Sequence, residues 1–353
     1  MLQRKLSSSF LKRYSPLPTL MMMGLILISC HTSKDTKSFQ AMNTFMTLQS
    51  YGKNSAQVNQ EVQEEILKLE NLISTTKKES QLYQLNHMKN PKLLLSPQTS
   101  QIILYSLQMA QKTDGALNPA LYPITRAWGF TTEKYRVPSD QEIEALLPLT
   151  DFTKITFSPD QENEILLQPG MMLDLGALGK GYAGDLAIQI LKENGIKSAI
   201  LDLGGNIQTL GTKADGSPWA IGIKNPWGGN VVAGLSLSDM AVITSGGYER
   251  YFTADDGKDY IHIFDGKTGR PVNNDLASVT IVTQKGLYGD ALSTALFVMG
   301  KTEAINYWKK HHTEPGQNFD LLLITNDKEL IYSPALQNKI QVLANFSKIT
   351  VLN

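Results

Sequence analysis

The sequence predicts an α+β fold, a single compact unit of mixed and antiparallel sheets with packed helices, and three observations carry that expectation. Helix-period and strand-period segments are interspersed without the regular strand–helix–strand alternation of a doubly wound sheet. Gln57 to Ile73 places Val58, Val62, Ile66, Leu69 and Ile73 at spacings of three and four, one face of an amphipathic helix. Between Ala199 and Thr283 short β-rich stretches recur, broken by glycine and asparagine. The 353 residues are 42% hydrophobic with 27 glycines, the makeup of a globular protein of one large or two ordinary domains. With 33 basic and 33 acidic side chains the formal charge is zero, so the chain lacks the electrostatic footprint of a nucleic-acid binder. One cysteine and five histidines provide neither an internal disulfide nor a zinc cluster.

The N-terminus reads as an address. Arg4, Lys5, Lys12 and Arg13 precede the apolar run Leu20 to Ile28, which is too short for a stable membrane span. The run ends in Leu27-Ile28-Ser29-Cys30, similar to a bacterial lipobox, with the only cysteine at the position that takes lipid. The expected organisation is a signal peptide over 1–29, a polar tether over 30–40 and one domain over 41–353. Cleavage before Cys30 would leave 29 basic against 33 acidic residues. The expected location is the extracytoplasmic side of a bacterial envelope. The chain would be held there by lipid alone, with the inner membrane as the expected site, although His31 is not the aspartate associated with retention there.

Within the domain, Met42 to Tyr51 reads as a first strand. Ser96-Pro97 reads as a cap and first helical residue for a helix through Ile103, Leu107 and Ala110. Arg136 to Asp160, rich in Pro, Asp and Thr, reads as a variable insertion. Strands are expected at Glu164–Gln168 and Met171–Leu175, then a helix from Ala177 to Asn194 closed by Gly195. Further strands are expected at Ala199–Leu203, Trp219–Lys224, Val231–Ser236, Ala241–Thr244, Tyr260–Phe264 and Ser278–Thr283. Helices follow at Tyr288–Met299 and Glu303–His311, and strands at Leu321–Thr325 and Leu330–Tyr332.

Four segments have residue types suited to chemistry. Asp174-Leu-Gly-Ala-Leu-Gly-Lys-Gly-Tyr182 opens a helix with glycines that let backbone N–H groups approach an anion, and Lys180 adds charge. It fits neither a phosphate loop nor a dinucleotide fingerprint. Leu201-Asp-Leu-Gly-Gly-Asn206 suggests close passage of backbone past a ligand. His262 alternates with Ile263 before the turn from Asp265 to Gly269, and a histidine can exchange protons near neutral pH. Asp290 and Thr294 are four apart on a helix, hard oxygen ligands suited to magnesium. Taken singly, each also has a plain structural reading: a packing turn, a simple turn, a half-buried strand histidine and a helix cap.

Eight segments in order resemble the FAD:protein FMN transferase family, often called ApbE. They are Met42-Asn43-Thr44, Asp114 to Pro119, Trp128-Gly129-Phe130, Asp174 to Asp185, Leu203 to Asn206, Ser245 to Phe252, His262 to Pro271 and Asp290 to Gly300. The resemblance implies a deep flavin-binding cleft, FAD as substrate with Mg2+ at its diphosphate, and transfer of FMN to a threonine hydroxyl of an acceptor protein with release of AMP. Subunits of membrane redox complexes are the acceptors it implies. Carried onto this chain, it makes Asp290, Thr294 and the carbonyl of Ala177 metal ligands, with Ser293 a further contact. Met42, Ala116, Leu117, Asn118, Asp174, Lys180 and the strand around Phe264 become cofactor contacts, and His262 and Asp290 the catalytic candidates. His262 or the metal-side carboxylate would take the acceptor's proton. Asn118 and Gly266 stand where the family usually has aspartate and proline, and Gly247 replaces a common aspartate. Ser74-Thr75-Thr76 falls where an aromatic often stacks on the flavin. A magnesium-dependent FAD hydrolase and a non-catalytic flavin-binding lipoprotein are the alternatives.

Overall fold

A computed structural model describes residues 33–158 and 163–353. Cys30 and the expected signal peptide lie outside the described residues. The first two strands, β1 (Lys34–Ala41) and β2 (Thr44–Tyr51), form a hairpin in full register. Its two-residue turn is Met42-Asn43, both at positive φ (50° and 57°), the geometry that matches strand twist across such a short loop. The tether expected over 30–40 is therefore corrected from Lys34 onward. This strand escaped notice because it lies at the sheet edge, where polar outward residues are usual; only Phe39 and Ala41 are buried.

Helix α1 (Ser55–Ile73) buries Val58, Val62, Ile66, Leu69 and Ile73, the stripe its spacing predicted. After α2 (Gln81–His87) and β3 (Lys92–Leu94), α3 (Pro97–Lys112) starts as expected: the Ser96 hydroxyl accepts the Thr99 N–H at 3.3 Å, and Pro97 occupies the first turn. Next come α4 (Tyr122–Ala127) and α5 (Asp140–Leu146), then β4 (Thr156–Ser158) and β5 (Glu164–Leu166). The expected insertion thus holds an ordered helix, α5, begun by a capping box between Ser139 and Glu142.

Met171 to Leu175 is not a strand. Its backbone bonds go elsewhere: Asn86 brackets Leu173, with both side-chain contacts at 2.7 Å, and the Asp174 N–H donates to the Pro119 carbonyl at 2.8 Å. Helix α6 (Gly176–Glu193) follows and ends at Gly195, φ 74°. The chain continues through β6 (Ser198–Asp202), β7 (Asn206–Leu210), β8 (Trp219–Ile223), β9 (Ala233–Leu237) and β10 (Ala241–Gly246). Two small hairpins, β11 (Tyr251–Thr253) with β12 (Asp259–Ile261) and β13 (Phe264–Asp265) with β14 (Arg270–Pro271), lead to β15 (Leu276–Thr283). Helix α7 (Gly286–His311) breaks at Gly300, φ 80° and ψ 172°, where the sequence separates two helices. The end of the chain adds β16 (Phe319–Thr325), β17 (Glu329–Tyr332), β18 (Ile340–Val342) and β19 (Lys348–Val351).

Nine strands form one sheet in the order β1-β2-β6-β7-β10-β15-β16-β17-β19, antiparallel except for the parallel β17–β19 pair. Helices α1, α6 and α7 cover one face, with the main core between. The second face is covered at one end by the small sheet β18-β9-β8, through Ile221, Leu235, Val282 and Leu322. Among the described residues no helix is long and apolar enough to cross a membrane.

Candidate active site

The glycines of the Asp174–Asp185 segment let α6 and α7 meet backbone to backbone. A Cβ on Gly181 would lie 2.3 Å from the Gly286 carbonyl oxygen and 2.7 Å from Asp290 Cβ. Gly286 has no room either, since a Cβ there would lie 1.8 Å from Gln208 Nε2. At this contact the Gly181 N–H donates to Asp290 Oδ2 at 2.7 Å. An N–H so engaged is no longer a full donor to the carbonyl of Ala177, four residues back, which makes that oxygen available to another partner. Asp290 is not the cap of α7. Asp185 fills that role from α6, accepting the N–H groups of Gly286 at 2.7 Å and Leu287 at 3.0 Å.

Asp290 is buried, and burial pushes its carboxyl above the usual carboxylate range against the pull of the Lys180 ammonium. One turn along α7, Thr294 Oγ1 lies 3.3 Å from Ser245 Oγ, which is also 2.9 Å from Ser293 Oγ. The strand beneath adds a further polar group. Gln208 reaches the Gly181 carbonyl at 3.2 Å, and Ile243, paired with Asn206, packs against Gly289. Asn206 therefore faces the helices at the level of Asp290, and both its amide atoms are buried without a hydrogen-bond partner. An orphaned buried amide costs about 1–3 kcal/mol, so this seam suits a polar occupant. One carboxylate, hydroxyls, a carbonyl and an amide are hard donors of the kind Mg2+ takes.

Three turns meet beside the seam. Lys180 Nζ donates to the Gly204 carbonyl at 3.4 Å. Gly204 and Gly205 both adopt positive φ (73° and 86°), and their N–H groups are held by Asp202 Oδ1 at 3.0 and 3.1 Å. The hairpin turn packs on both neighbours: Thr44 fills the space a Cβ on Gly204 would need, and Met42 Sδ lies 3.9 Å from the Cβ position of Gly179. Met42 is fixed by its N–H to Glu70 Oε1 at 3.0 Å, and Lys77 holds the other carboxylate oxygen at 2.7 Å.

Asp174 sits at the start of α6, accepting the Gly176 N–H at 2.8 Å. Burial raises its carboxyl, opposed by that N–H and by the charge of Arg250. Its link to Pro119 brings the Asp114–Pro119 segment alongside. There Ala116 is half-buried and Leu117 is buried in the core. Asn118 donates to the Thr150 carbonyl and accepts the Ala120 N–H, both at 2.9 Å, and its Nδ2 lies 3.1 Å from the Cβ position of Gly266. Two of the departures from the family pattern, Asn118 and Gly266, are thus neighbours, and the first bond is one an aspartate could not donate.

His262 is not within a strand; it lies between β12 and β13. Its N–H and its Nδ1 both meet the Arg250 carbonyl, at 3.1 and 3.0 Å. A carbonyl only accepts, so Nδ1 carries the proton and Nε2 keeps a lone pair. Burial, reinforced by the charges of Arg250 and Lys180, brings His262 down to about 4, so the ring is neutral at pH 7. Lys180 thus acts on both His262 and Asp290. The Phe264 ring, expected near the cofactor, is 4% exposed and packs with Trp128, Phe130, Ile124 and Ile143, so the ring serves the core. Sequence reasoning assigned no role to Asp185, Gln208, Asn206 or Ser245. The first three had a signal, a polar residue directly beside or three positions beyond a glycine. A hollow of about 450 Å³ lies beside Trp308, and one of about 380 Å³ lies on the opposite face of the sheet from the helices, with Asp202 at its rim.

The chain is 32% identical over 272 residues to a FAD:protein FMN transferase of Klebsiella pneumoniae, covering 76% of this chain and 82% of that protein. It is 35% identical over 253 residues to one of Treponema pallidum, covering 67% and 68%. The crystal structure of an ApbE protein of Thermotoga maritima superposes with a TM-score of 0.80 at 31% identity, covering 87% of this chain and 99% of that one. The flavinyl transferase ApbE of Pseudomonas stutzeri gives 0.73 at 27%, covering 84% and 92%. The ApbE family profile matches residues 42–315, and the chain belongs to that family.

Proposed function

We propose that the protein is a magnesium-dependent FAD:protein FMN transferase. The observation that carries this reading is the α6–α7 seam, where Gly181 orients the buried Asp290 beside Thr294, with Lys180 and the Gly204-Gly205 turn next to it. Asp290, Thr294 and the Ala177 carbonyl would hold Mg2+, which when bound supplies positive charge at the diphosphate. The Lys180 ammonium favours the anionic diphosphate.

In the reaction the threonine oxygen of the acceptor attacks the phosphorus of the FMN half of FAD. The bond from that phosphorus to the bridging oxygen breaks, and AMP leaves with the electron pair. The hydroxyl proton passes to His262 Nε2 or to the Asp290 carboxylate. A His262 ring held neutral at pH 7, with Nδ1 committed to Arg250, presents the correct nitrogen for that role. The Leu27–Cys30 segment supports a lipid anchor on the extracytoplasmic side of the envelope, and the acceptors would be subunits of membrane redox complexes. Incubation with FAD, Mg2+ and a flavin-acceptor domain should yield a covalently fluorescent acceptor in a denaturing gel. Free FMN without labelled acceptor would instead mark a hydrolase, and intact FAD a binding protein.

A further inference from the structure

The outer face of the large sheet is covered only at one end. Beyond β8 it is bare, and the hollow of about 380 Å³ lies there between β8 and the exposed surface of β2, β6 and β7. Thr47, Ile200 and Ile207 form its floor, and Ala220, Gly222 and Val231 its wall. Among the described residues β8 pairs only with β9, so its other edge has free N–H and C=O groups. An unpaired edge beside an apolar groove is a template for an added strand. Ala220 and Gly222 are exposed along it and put no bulky side chain in the way.

Two further features say what would lie there. Thr36, Ser38 and Gln40 on β1 pair with Gln49, Thr47 and Phe45 on β2, and this face continues into Ile200 and Asp202. Its charges are Lys34, at the far end of β1, and Asp202, whose carboxylate is already held by Gly204 and Gly205. A surface depleted of charge with an exposed aromatic, Phe45 at 69% exposure, has the composition of a recognition surface and complements an uncharged partner. The groove also reaches the site. Asp202 pins the turn against which Lys180 lies, and Phe45 directly follows Thr44, which packs on Gly204.

We infer that this groove receives the acceptor protein. A charge-poor, extended segment bearing the target threonine adds to the free edge of β8 and leads its hydroxyl past Asp202 to the Gly204-Gly205 turn. The inference rests on the transferase reading and adds where the protein substrate docks.

The test uses a recombinant extracytoplasmic domain of a sodium-pumping redox-complex subunit as acceptor, with the wild type and the variants Ala220→Arg and Thr47→Arg. Neither residue belongs to the FAD or metal site. Both variants should raise KM for the acceptor about tenfold or more while FAD affinity and the rate at saturating acceptor stay unchanged. The acceptor should also slow amide exchange over residues 219–223 of the wild type. Wild-type KM in both variants, or exchange over 219–223 that the acceptor leaves unchanged, would overturn the groove while leaving the transferase reading intact. A wild type that labels no acceptor would overturn the transferase reading, and the groove with it.

Discussion

The α6–α7 seam and the Trp128–Phe130–Phe264 cluster are both built from segments that resemble the same family, yet they ended in different states. In the seam, glycines bring two backbones together and polar atoms remain partly unsatisfied: Asp290 is buried with a raised carboxyl, and Asn206 has no partner. In the cluster every group is accounted for. Phe264 lies 5.9 Å from Trp128 and 5.7 Å from Phe130, ring centre to ring centre, and the Trp128 indole donates to the Gly269 carbonyl at 3.1 Å. Closed apolar packing suits a region that holds the fold, and unmet hydrogen-bonding capacity beside a buried carboxyl suits one that binds something.

Single substitutions separate the two regions. Asp290→Ala should lower flavin transfer by a factor on the order of 10² to 10³, the scale of losing one preorganised electrostatic group. It should leave the melting temperature unchanged or higher, because a buried carboxyl disfavoured by its surroundings has been removed; a fully active variant would take Asp290 out of the site. Phe264→Ala should do the opposite. It should cost about 3–5 kcal/mol in denaturant unfolding, as for other buried phenylalanines, while the folded fraction keeps its affinity for FAD. Reduced affinity with intact stability would return Phe264 to the cofactor surface.

His262 has a smaller effect because it lies between the two regions, feeling the charge of Lys180 on one side and facing the Phe130 ring, 6.4 Å away, on the other. Its folded-state value of about 4 lies below the ordinary 6.5. Between those values the unfolded chain binds a proton that the folded chain refuses. The stabilising contribution is complete above pH 6.5 and is lost as pH falls toward about 4. Melting temperatures of the wild type should fall across that window, and His262→Gln should flatten the slope while slowing transfer. An unchanged slope would show that His262 titrates normally.

Much of the molecule was legible because local rules suffice where a segment contacts one broad apolar surface. The stripe of α1, the Ser96-Pro97 start of α3, the Gly195 stop of α6 and the division at Gly300 follow from spacing, capping and left-handed glycine. Other elements were hidden. Strand β1 is polar because one side faces solvent at a sheet edge, and Met171 to Leu175 reads as a strand although Asn86 and Pro119 take its backbone bonds. Phe264 carries the composition of a flavin contact and of a core residue equally, and only its neighbours decide between them.

By itself the sequence determined which residue types were available and where chain direction must change, since φ preferences, caps and hydrophobic period are properties of short stretches. What the tertiary structure decided is which of those stretches meet. Gly181 and Asp290 are 109 positions apart and touch because neither helix has a side chain in the way. Asp185, at the end of a glycine segment, became the cap of a helix that begins 101 positions later. Such pairings depend on volume and on unsatisfied N–H groups at long range, and no local pattern encodes either.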